Sequence, residues 1–108
     1  MKNIEMTQKL AVLHSVYQLI ASADGSIDED RDKAAIDLSL TELGLTSIYS
    51  WDSALQLNPH DCFFHISNLG DNDKQLFRAL LLKIVDMGGS KKYRTTCAKH
   101  IMQLTNCY

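Results

Sequence analysis

Apolar side chains recurring at steps of four and three residues leave this chain few folds to adopt. Met6, Leu10, Leu13, Tyr17 and Ile20 follow one another by four, three, four and three residues, the spacing that places them on one face of a helix. Val12, Val16 and Leu19 broaden that face. A second helix is expected to start with Asp28 as N-cap, because Glu29 and Asp30 behind it favour the positive end of a helix dipole. It buries Ala35, Ile36, Leu40 and Leu43 and stops at Gly44. A third, from Ser47 to Leu57, presents Ile48, Trp51, Ala54 and Leu55 on one side. Asn58 and Pro59 read as N-cap and first residue of a fourth, since proline loses nothing there by lacking an amide; that helix ends near Gly70. Asp71, Asn72 and Asp73 can cap a fifth helix, which is apolar on nearly every side between Leu76 and Val85 and is therefore expected at the centre. Gly88-Gly89-Ser90 breaks the chain before a last helix with Tyr93, Cys97, Ile101 and Leu104 facing inward.

No run alternates with period two, so the expected architecture is all-α: one compact bundle of about six helices over residues 1–108, with short loops joining antiparallel neighbours. At 45% apolar, 108 residues suffice for one core. The formal charge of -2 supplies no global field that would hold nucleic acid or an anionic membrane. Cys62, Cys97 and Cys107 are too few and oddly numbered for a disulfide framework, which points to a reducing, cytoplasmic setting. Lys2, Lys9, the apolar run from Leu10 to Ile20 and Ala21-Ser22-Ala23 imitate a secretory leader, but Glu5, His14, Ser15 and Gln18 interrupt it. No stretch approaches the ~18 consecutive apolar residues of a membrane span.

The bend between the first two helices, Asp24-Gly25-Ser26-Ile27-Asp28, copies the middle of an EF-hand loop. The ligands around it are wrong, because the first, third and twelfth places hold Ile20, Ser22 and Arg31 where calcium needs oxygen donors. A long apolar helix running into Ala-Asp-Gly-x-Ile and then a capped acidic helix instead resembles the TerB-like family of tellurite-resistance and stress-response proteins. The matching residues are Leu19, Ile20, Ala23, Asp24, Gly25, Ile27 and Asp28. That family carries a second copy of the bend late in the domain. Displacing this chain by 64 residues sets Leu19-Ile20-Ala21 against Lys83-Ile84-Val85 and Gly25-Ser26 against Gly89-Ser90, a degenerate internal pseudo-repeat. Two departures stand out: Arg31 where the family has a Glu, and Gly88 where it has an Asp. The acidic pair of corners that the resemblance implies for metal ions is thus half dismantled. A plainer reading gives Asp24 a turn-tightening role, Gly25 a positive φ and Ile27 a place in the core.

Charge is uneven between the corners. Residues 24 to 32 hold Asp24, Asp28, Glu29, Asp30 and Asp32 against Arg31 alone, whereas residues 91 to 99 hold Lys91, Lys92, Arg94 and Lys99 with no acid. Asp24, Asp28, Glu29, Asp30 and Asp32 are expected as an acidic contact surface, and Lys91, Lys92 and Arg94 as a basic one, for partner proteins or for head-to-tail contact between copies. Gly88-Gly89-Ser90 at a helix start could hold a phosphate or carboxylate on free amides, though it lacks a P-loop frame. Cys62–His65 and Cys97–His100 are two C-x-x-H pairs that would supply four zinc ligands if they met. No base, oxyanion hole or cleft is marked for catalysis.

The expected function is a non-enzymatic, cofactor-free protein-interaction module. The resemblance implies a bacterial stress or tellurite-resistance context with membrane-associated partner proteins. The alternative is a metal-responsive sensor in which Asp24 and Asp28 hold a divalent cation at the first corner.

Overall fold

The computed structural model describes residues 1–46 and 48–108, with the side chains of residues 48 and 49 set apart. Six helices and no strand occur among the described residues: α1 Met6–Asp24, α2 Glu29–Glu42, α3 Ile48–Leu55, α4 Pro59–Ser67, α5 Asp71–Val85 and α6 Lys91–Leu104. The all-α bundle is therefore as expected. The start expected at Ser47 and the inward placement expected of Ile48 lie outside the described residues.

Helix boundaries follow local chemistry. Asp28 caps α2 by accepting from the Arg31 amide, and Asn58 caps α4 by accepting from the His60 amide ahead of Pro59. Gly25, at φ 84°, closes α1 in the left-handed region that side chains avoid. The fifth helix differs from expectation. Its N-cap is Gly70, with Asp71 already helical, so the acids there act on the dipole and not as caps.

The central helix is α1, not α5. Helices α2 to α6 all pack on it, and α1 is buried continuously from Ala11 to Val16 and again at Leu19 and Ile20. The physical reason lies in charge. No Lys, Arg, Asp or Glu falls between Leu10 and Ala23, whereas α5 carries Lys74, Arg78 and Lys83 and leaves Leu76 and Leu82 exposed. Sequential helices accordingly gather around α1 more than against one another: α3 and α4 both pack chiefly on it. No acid lies in its first turn and no base in its last. Burial at about 1.5–3 kcal/mol per large apolar side chain, rather than capping at about 1, thus sets its stability.

Polar groups inside are satisfied locally. Ser15, Ser39 and Thr105 each donate to the carbonyl four residues back. His14 ties α1 to α3: Nδ1 donates to the Ala54 carbonyl at 2.9 Å, so Nε2 is left to accept from the Gln18 amide at 3.2 Å. Trp51, on α3, is buried edge-on against Tyr17. Phe64 is 65% exposed and Phe63 half-buried. No helix among the described residues is long and apolar enough to cross a membrane.

His14→Ala should cost about 2–4 kcal/mol, since it opens a cavity and strands the Ala54 carbonyl and the Gln18 amide. Urea denaturation followed by the fluorescence of Trp51 will measure it.

Candidate functional site

The two bends meet. Asp24, the last residue of α1, accepts from the Ser90 amide at 2.8 Å through Oδ1 and from Arg94 Nε at 2.7 Å through Oδ2. Arg94 itself is fully buried. Its Nη2 donates to Asp32 Oδ1 at 2.6 Å and its Nη1 to the Ile84 carbonyl at 3.1 Å. Asp32, also fully buried, further accepts from the Asp28 amide at 2.9 Å and from Arg31 Nη2 at 2.7 Å. Arg31 then reaches the Ser26 carbonyl at 2.8 Å. Two carboxylates and two guanidinium groups thus form a charge-balanced cluster joining α1, α2, α6 and the end of α5. Every buried side-chain N and O atom among the described residues has a hydrogen-bond partner, the condition under which such a cluster is tolerable.

Local sequence places each member. On α6 the inward residues are Arg94, Ala98, Ile101 and Thr105, stepping by four, three and four, with Met102 beside them. This corrects the expected stripe: Tyr93 is 58% and Leu104 47% exposed, because the inner row begins with a cation that an apolar pattern passes over. On α2, Asp32, Ala35 and Ser39 form the corresponding inner row. Gly89 makes room for the cluster. A Cβ there would fall on the Asp24 carboxylate and within 2.6 Å of Arg94 Nε, and the backbone φ is +64°. Gly88 and Arg31 also adjoin: a Cβ at Gly88 would come within 3.1 Å of Arg31 Cγ. Arginine at one position and glycine at the other accommodate each other.

Several expected site residues are corrected by this geometry. Asp24, Asp32 and Arg94 face one another inside the protein and cannot contribute to an exposed contact surface. The two charged corners lie side by side. Asp24 and Asp28 do not form a cation cradle. Asp24 is engaged by an amide and a guanidinium, Asp28 Oδ1 caps the Arg31 amide, and no group of three or more His, Cys, Asp or Glu residues among those described is arranged to hold a metal. The anion expected on Gly88-Gly89-Ser90 is the chain's own Asp24. What remains outside is a rim: exposed Asp28, Glu29 and Asp30 at the start of α2, and exposed Lys91 and Lys92 at the start of α6, with Lys91 3.1 Å from Asp86.

The C-x-x-H pairs do not meet. Cys97 and His100 line a groove of about 420 Å3 with Gln18, Phe63 and Leu104, whereas Cys62 and His65 line a separate cleft of about 130 Å3 with Thr7 and Asp61. Burial, with the nearby Asp61 charge, pushes the Cys62 thiol up to about 11. Burial likewise raises Cys97 and Cys107. Thiols so shifted stay protonated near neutrality and are poor nucleophiles and poor ligands.

Burial alone would raise the Asp32 carboxyl. Hydrogen bonds from Arg31, the Asp28 amide and Arg94, together with the Arg94 charge, outweigh it and bring the value down to about 2. At Asp24 burial is likewise outweighed, by the Ser90 amide and by Arg94, and the carboxyl is lowered. Comparison with protein-family models, with curated proteins and with solved structures finds no match to this chain.

A carboxyl depressed in the folded state stabilises the fold above its unfolded value near 4 and ceases to do so as pH falls through the folded value. Asp32 should therefore contribute about 2 kcal/mol at neutral pH. The melting temperature is expected to be flat above about pH 5 and to fall steeply between about pH 4 and 2, a course that calorimetry can follow. Gly89→Ala should destabilise by about 3 kcal/mol or more, since it adds a clash with a buried ion pair to the left-handed strain; Gly25→Ala, with open space around its Cβ, should cost about 1–2. Paired denaturation curves compare the two.

Proposed function

We propose that this chain is a non-enzymatic protein-interaction module resembling the TerB-like proteins, acting in the cytoplasm within a bacterial stress or tellurite-resistance system. One observation carries the reading: Asp28, Glu29 and Asp30 stand exposed on a helix start that is held from beneath by the buried Asp24–Arg94–Asp32–Arg31 cluster, beside exposed Lys91 and Lys92. Charges on a rigid base lose little freedom when a partner pairs with them, which favours recognition. The raised thiols argue in the same direction, because they leave the cysteines unsuited to nucleophilic catalysis. Bacterial context and membrane-associated partner proteins come from the resemblance, carried by Ala23, Asp24, Gly25 and Ile27.

Affinity capture from a bacterial lysate at about 0.05 and about 0.5 M salt tests the reading, since screening suppresses exposed charge contacts at the higher value. The wild type should recover partners that Glu29→Lys/Asp30→Lys loses and that high salt releases. Recovery of the same proteins by both chains reduces the acidic rim to a helix start and nothing more.

A further inference from the structure

A groove between α5 and α6, about 300 Å3, is lined by Arg78, Leu82, Thr95, Lys99, Met102 and Tyr108, with Gln103 at one end. Its chemistry is one-sided. Arg78 and Lys99 are exposed and have no ion-pair partner among the described residues, and no Asp or Glu side chain lines the groove. Between and beside them lie apolar surfaces, with Leu82 37% and Tyr108 79% exposed. A surface that carries carboxylates beside an aliphatic side chain would complement it.

The chain carries such a surface. The outward side of α2 offers Glu29, Asp30 and Asp37 against Lys33 alone, with half-buried Ile36 beside a shallow depression of about 240 Å3 lined by Glu29, Lys33, Ile36 and Asp37. Lys33 and Asp37 pair at 3.3 Å, but both side chains are well exposed, so that pair is weak and exchangeable. Length matches as well. Glu29 to Asp37 and Thr95 to Gln103 each span eight residues, about 12 Å along a helix.

We propose that the α5–α6 groove is a docking site for the acidic face of α2 from a second copy of this chain, with Ile36 set against Leu82 and Met102 and the acids against Arg78 and Lys99. The contact is heterologous, joining two different surfaces, and it uses side-chain positions that the buried cluster does not. It deepens the binding reading above, because the exposed acids of α2 are the ligand.

Sedimentation velocity on the full chain over a concentration series tests it. At about 0.05 M salt the wild type should associate with rising concentration, and about 0.5 M salt should weaken this about tenfold or more. Arg78→Glu/Lys99→Glu and, separately, Glu29→Lys/Asp30→Lys should each sediment as monomers, while an equimolar mixture of the two should associate again by charge exchange. The groove substitutions lie on exposed mid-helix positions and leave the α2 start intact, so they keep the test valid should the α2 variant fold poorly. A wild type that stays monomeric at low salt, or a groove variant that associates as the wild type does, overturns the proposal. A monomeric wild type that nonetheless captures lysate proteins through Glu29 and Asp30 overturns self-docking alone and leaves the binding reading standing. Acid-dependent association without acid-dependent capture does the converse.

Discussion

A fully buried arginine held between two carboxylates governs the rest of this structure. Arg94 leaves no nitrogen idle: Nε, Nη1 and Nη2 each donate to a different residue, and the acceptors come from α1, α2 and the end of α5. Such a cluster is weak as a source of net stability, because desolvating four charges offsets most of what their attraction returns. It is strong as a constraint. Withdrawing Arg94 leaves Asp24 and the buried Asp32 short of their shared cation, and withdrawing either carboxylate leaves a buried guanidinium nitrogen unpaired, so the cluster penalises other arrangements of the corners. Gly89 has to lack a side chain for the same reason.

The fold was legible from apolar spacing, and the site was not. The bends at Gly25 and Gly88-Gly89-Ser90, the caps Asp28 and Asn58 and the proline start of α4 all stand where local chemistry puts them. Reading failed where polarity and burial part company. Counting apolar residues favoured α5 as the centre, whereas the absence of any Lys, Arg, Asp or Glu from Leu10 to Ala23 was the better sign for α1. Apolar spacing likewise points Tyr93 and Leu104 inward and Arg94 and Asp32 to the surface, against their observed exposure and burial. A usable signal existed, since Ala98, Ile101 and Thr105 continue from Arg94 at helical steps and Ala35 and Ser39 continue from Asp32. It becomes readable only once opposite charges at two bends, some 70 residues apart in sequence, are considered as partners for one another.

Arg31 and Gly88 take on a physical meaning in this light. An acid at position 88 and another at position 31 would bring two further negative charges to a junction that already holds Asp24 and Asp32. Arg31 supplies the balancing cation instead, and Gly88 gives its stem room. The two corners thereby form one charge-balanced junction.

The placement of α1 has a consequence for how the chain comes into being. During synthesis this helix leaves the ribosome before all five of the helices that cover it, carrying an uncharged, sticky surface that nothing yet shields. Asp24 waits with it until Ser90 and Arg94 have been made. Nascent chains are thus most vulnerable to clumping, and most in need of chaperone shelter, until α6 has been translated.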